Sequence, residues 1–148
     1  MLWRAIVAFL ALPGVVAFAL PLALIRSRGA VADIRPIGLV PLALGACLLL
    51  WCVREFYVAG RGTLAPWAPP VHLVESGPYR HSRNPMYVAV ALILAGWATL
   101  YASGVLLAYG LVVVVAFRLR VVRGEEPVLA RSFADDWRRY CARTPRWF

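Results

Sequence analysis

The chain alternates long apolar runs with short polar breaks. Residues 5–25, AIVAFLALPGVVAFALPLALI, and 36–53, PIGLVPLALGACLLLWCV, hold no charged side chain. A helix crossing about 30 Å of hydrocarbon needs roughly 20 apolar residues, so each run predicts one span. Residues 84–117 are also uncharged and are broken by Tyr101-Ala102-Ser103-Gly104, a tight turn joining two helices. Each arm of this hairpin is about 16 residues, so flanking residues or snorkelling arginines such as Arg118 must extend its reach. The pattern predicts four spans, with Pro13, Pro21 and Pro41 kinking the first two and neighbouring helices satisfying the freed carbonyls. After the hairpin, Leu129, Phe133, Trp137 and Tyr140 recur at helical spacing, with Arg131, Asp135, Arg138 and Arg139 on other faces. That is an amphipathic helix suited to the membrane interface, with Pro127 tolerated in its first turn.

The expected fold is therefore an all-α integral membrane protein with about four transmembrane helices and a C-terminal amphipathic interfacial helix. It forms a single domain: two N-terminal spans (1–58), a cytoplasmic loop (59–83), the helical hairpin (84–122) and a C-terminal tail (123–148). The hydrophobic fraction of 62% and mean hydropathy of +0.73 exceed those of an ordinary soluble domain. The first apolar stretch is too long for a signal-peptide core and reads as an uncleaved span.

Net charge is +9, and all 16 basic residues are arginine. With four spans, 13 arginines share the side of both termini and 3 (Arg26, Arg28 and Arg35) lie opposite. The positive-inside rule then places both termini in the cytoplasm, as in a bacterial inner membrane protein. A basic skirt on a membrane protein accounts for this charge without a nucleic-acid partner. Cys47, Cys52 and Cys141 show no metal-ligand spacing, so neither a metal site nor a disulfide is expected. The connection 54–83 is long enough to be functional, and Trp67 among its prolines suits an interfacial anchor.

Two polar clusters stand out. The first, GPYRHSRNPMY at 77–87, sets Tyr79, Arg80, His81, Arg83, Asn84 and Tyr87 at the mouth of the hairpin. Asn84 followed by Pro85 is a good helix start, and a capped helix with topology-setting arginines is the plainest reading. The second is Glu125-Glu126, which also suits the N-terminus of the following helix. A hairpin returns the chain to the side it left, so the two clusters become neighbours. Together they would form a polar pocket floored by apolar helix, suited to a charged amphipathic cofactor.

The segment LVESGPYRHSRNPMY, the short-turned hairpin, the acidic pair and the spaced Leu129, Phe133, Tyr140 and Pro145 resemble the isoprenylcysteine carboxyl methyltransferase and phospholipid methyltransferase group. The resemblance covers residues 73–146. It implies S-adenosylmethionine as cofactor and a lipid-like acceptor reached from between the helices. It further implies that Glu125 and Glu126 accept hydrogen bonds from the cofactor's hydroxyls or amino group. Arg83, Asn84 and Tyr87 would hold its methionyl end, with Pro85 fixing the backbone. Arg143 and, more weakly, Tyr140 and Arg146 would orient the acceptor. Asn84 stands where the group commonly has His, so a role needing a titrating imidazole there is lost while hydrogen bonding survives. Two other classes stay open. One is an NADPH-dependent membrane reductase of the sterol-reductase type; the other is a non-catalytic membrane protein assembling through the Ala91, Ala95 and Thr99 stripe.

Overall fold

The computed structural model describes residues 10–27, 34–59 and 72–148. Arg4, Arg28 and the expected anchor Trp67 lie outside the described residues. Within them every regular element is helical. The first helix is π-wound over Leu10–Ala19 and α-wound over Leu20–Ser27 (α1). A 3-10 turn, Pro36–Gly38, leads into Leu39–Val58 (α2), and a second, Gly77–Arg80, precedes the hairpin. The hairpin itself is Pro85–Leu100 (α3) and Gly104–Arg120 (α4). A π-wound turn, Val121–Glu125, passes without interruption into Glu126–Arg143 (α5).

The predicted turn at 101–104 is present. Ala102 takes a left-handed φ of 45°, and Ser103 N donates to Ala98 O at 3.0 Å to close the corner. Pro41 falls in the first turn of α2, where a missing N–H breaks no internal bond. Pro21 falls where π winding gives way to α winding and, lacking an N–H, removes one helical donor from the carbonyls a turn back. The hairpin supplies the donors: Trp97 Nε1 reaches Ala17 O and Tyr109 OH reaches Val16 O, both at 2.9 Å.

Two helices are long and apolar enough to cross a membrane, Pro36–Val58 and Gly104–Arg143; Pro13–Ser27 and Pro85–Leu100 are shorter apolar helices. Only 22% and 17% of the most apolar windows of the two long helices are buried, unlike core helices of a soluble protein. Leu44 and Leu50 on α2, and Leu111, Val112 and Val115 on α4, point outward, where lipid would cover them.

Inside, α2 and α3 meet backbone to backbone. A Cβ on Gly45 would sit 2.6 Å from Ala89 O, and one on Gly96 would sit 2.7 Å from Leu42 N. Lipid offers no hydrophobic drive for helix association, so close approach through small residues is what holds such a pair. Ile93, Val90 and Leu49 fill the space beside these contacts. The rigid α2–α3–α4 unit thereby fixes where the mouth of the hairpin opens.

Candidate active site

Gly77 begins the site. Its φ of +56° is a left-handed value, and a Cβ there would lie 2.9 Å from Glu55 Cγ and Trp51 Nε1. Glu55, buried at the end of α2, accepts from Ser76 Oγ, from Arg54 Nη1 at 2.8 Å and from Trp51 Nε1 at 3.3 Å. The Ser76 bond ties the 77–80 turn to α2, and Tyr79 within that turn is buried. Burial pushes the Tyr79 phenol well above its usual pKa, so it stays neutral. Nothing in the sequence reading picked out Glu55, although a lone acid closing an apolar run is the available signal.

Asn84 occupies the N-cap position of α3 but makes no side-chain cap bond. Its Nδ2 instead donates to Arg146 O at 3.1 Å, and its backbone N–H goes to Ser82 Oγ. Pro85 is fully buried at the first position of the helix. One turn on, Tyr87 donates its hydroxyl to Glu125, and its ring packs on Phe117 with centroids 4.4 Å apart. The hairpin therefore brings the two clusters into direct contact.

The acidic pair divides. Glu125 lines a central cavity of about 90 Å³ and also accepts from Arg120 Nε at 2.9 Å. Glu126 is absent from that wall. Its Oε1 takes Arg83 Nη1 at 3.2 Å and Arg146 Nε at 2.8 Å, and its Oε2 takes Arg146 Nη2 at 2.8 Å. Those bonds push the Arg146 guanidinium further above its ordinary pKa. Arg83 does line the cavity, lies 5.5 Å from the centre of the Trp137 ring, and leaves its buried Nε without a partner.

The stripe Leu129, Phe133, Trp137 and Tyr140 faces this cavity. The amphipathic helix thus turns its apolar side onto the site and roofs it. Tyr140 OH donates to Tyr79 O at 2.7 Å. Arg143 is exposed, ion-paired with Glu75, and borders a second, polar chamber of about 570 Å³ with Ser76, Arg80 and Thr144. Leu73 and Tyr140 belong to the walls of both spaces. On the other side, Met86, Tyr87 and Glu125 are shared with a mostly apolar groove of about 110 Å³ that Pro13, Val16, Val90, Phe117 and Arg120 complete. A polar chamber, a narrow centre and an apolar groove therefore adjoin in sequence. His81 is exposed and borders none of the three.

The profile of the phospholipid methyltransferase family matches residues 34–136. The chain belongs to that family. The match begins well before the motif at 77–87 and takes in α2, so membership extends beyond the half of the chain where the sequence motifs lie. Two curated relatives carry other names. The cobalt-zinc-cadmium resistance protein CzcN of Cupriavidus metallidurans is 33% identical over 115 residues, 76% of this chain and 47% of that protein. The nickel-cobalt-cadmium resistance protein NccN of Alcaligenes xylosoxydans xylosoxydans is 30% identical over 122 residues, 79% of this chain and 50% of that protein. This member of the family thus spans about half the length of the curated relatives it matches. No solved structure matches it significantly.

Proposed function

We propose that the chain transfers a methyl group from S-adenosylmethionine to a lipid-like acceptor at the cytoplasmic face of a membrane, with four spans and both termini on that face. One observation carries the reading. The motif at 83–87 and the carboxylate of Glu125 wall a single cavity that adjoins a polar chamber on one side and an apolar groove on the other.

The residues fit the donor. Arg83 offers a buried, unpartnered N–H to an anionic end, and Asn84 keeps its side-chain oxygen for a donor group. Glu125 offers a carboxylate oxygen to hydroxyl or amino groups. The 90 Å³ centre is well below the roughly 300 Å³ at which small-molecule sites begin, so the 570 Å³ chamber has to take part of the molecule. Bound there, the donor supplies a sulfonium methyl, already a good electrophile.

The protein's work is then positioning and exclusion of water. Pro85 and the Asn84–Arg146 bond fix the backbone that presents Arg83 and Tyr87. Phe133, Trp137 and Tyr140 close the roof, and Val16, Val90 and Phe117 give an acyl or prenyl chain an apolar path. Arg143, held by Glu75, stands on the polar side, where it can orient an anionic group. A carboxylate acceptor needs no proton removed. An amine acceptor must lose one, and Glu125, on the walls of both centre and groove, is the carboxylate placed to receive it. The relatives' metal-resistance names serve only as a context in which to look for the acceptor.

The test is direct. S-Adenosylmethionine or S-adenosylhomocysteine should raise the melting temperature of the detergent-purified protein, and NADPH should not. Labelled methyl should pass from donor to a component of a lipid extract, and Glu125→Ala should remove that transfer. A protein indifferent to both adenosyl ligands, or one stabilised by NADPH alone, overturns the reading.

A further inference from the structure

Resting on that reading, we infer that Glu126 and Arg146 are positioning residues that hold Arg83 at the cavity wall, and that neither is itself a ligand of the donor. Both carboxylate oxygens of Glu126 are already taken at 2.8 Å by the Arg146 guanidinium, and a third contact, from Arg83, lies at 3.2 Å. Its side chain is 16% exposed and does not contribute to the cavity wall.

Arg83 stands differently. Its Nη1 is shared between Glu126 Oε1 and Cys141 Sγ, at 3.2 and 2.9 Å, and its guanidinium lies over Trp137. Three restraints on one planar group fix its orientation, and the orientation they fix leaves Nε buried and unpartnered. A buried N–H without an acceptor is costly unless a ligand completes it. Arg83, Arg146 and Arg120 against Glu126 and Glu125 leave a net positive charge beside the cavity. The chemistry called for is a carboxylate, the amino-acid end of the donor.

The C-terminal strap, residues 144–148, closes this arrangement into a ring. Arg146 O accepts from Ser82 Oγ at 3.2 Å and from Asn84 Nδ2 at 3.1 Å, while Arg83 N donates to Pro145 O at 2.9 Å. The backbone that carries Arg83 therefore holds the strap, and the strap's guanidinium holds the carboxylate that holds Arg83. Glu126 acts on the donor through Arg83, whereas Glu125, on the cavity wall, meets it directly.

Two ligands separate the roles. S-Adenosylhomocysteine carries the aminocarboxylate; 5′-methylthioadenosine has the same nucleoside and lacks it. In Glu126→Gln, and separately in Arg146→Met, affinity for S-adenosylhomocysteine should fall about tenfold or more, as expected when a charge-assisted contact is misaligned. Affinity for 5′-methylthioadenosine should stay within about twofold, which also shows that the variants fold. The double variant should bind no more weakly than Glu126→Gln alone, because the pair acts as one unit. A parallel loss of both ligands, or unchanged S-adenosylhomocysteine binding, overturns the inference. A wild-type protein that binds neither ligand removes the methyl-transfer reading instead.

Discussion

The α2–α3 contact and the α5–strap contact hold the same molecule together by opposite means. In the first, Gly45 and Gly96 let two backbones touch, and no charged group takes part. In the second, Arg83, Glu126, Arg146, Glu75 and Arg143 are linked by ion pairs, with backbone bonds from the strap between them. The difference follows from the solvent each faces. Hydrocarbon neither drives apolar association nor forgives unpaired charge, so only shape is left to work with. At the aqueous mouth charge is cheap to keep and directional when half-buried, and it can hold a side chain at a set angle.

That contrast can be broken from either end. The largest effect should come from the dry side: Gly45→Leu forces a side chain into the Ala89 backbone and should cost about 3 kcal/mol or more in detergent unfolding. Gly124→Ala, where a Cβ meets nothing within 4 Å, is the control and should be neutral or slightly stabilising. Next, Arg83→Ala should weaken S-adenosylhomocysteine binding by about 10- to 100-fold in calorimetry while the protein stays folded. Tyr140→Phe removes the donor to Tyr79 O and should cost about 1–2 kcal/mol of stability. Ala134, at φ 38° within α5, pays for a left-handed conformation, so Ala134→Gly should gain about 1 kcal/mol. Smallest of all, Asp135→Ala breaks an exposed pair with Arg138 and should shift stability by less than about 0.5 kcal/mol. An Asp135 effect rivalling that of Gly45 would overturn the contrast.

Much of the hairpin was legible in the sequence, because its determinants are local. The turn at 101–103 and the helix start at Pro85 lie where the pattern puts them, and closing the U-bend alone brings Tyr87 to Glu125. The division of labour within the acidic pair was not legible. Adjacent helical residues point about 100° apart, which says that they differ but not which one faces inward. The π-wound turn Val121–Glu125 then adds a register shift no local propensity announces. Asn84 reads as a cap from its neighbours; its actual acceptor is 62 residues away. Glu55 and the strap fall in the same class, since their partners are set by packing. The amphipathic stripe was visible, but an apolar face has the same period whether it meets lipid or roofs a cavity.

Pro21 has an outcome that reaches the apolar groove. The carbonyls of Val16 and Ala17, one turn before it, accept from Tyr109 and Trp97, one from each arm of the hairpin. Rolling the N-terminal helix about its long axis would break both bonds, so they fix that helix in azimuth. Since Val16 also borders the apolar groove, the same two bonds hold that wall of the groove in place.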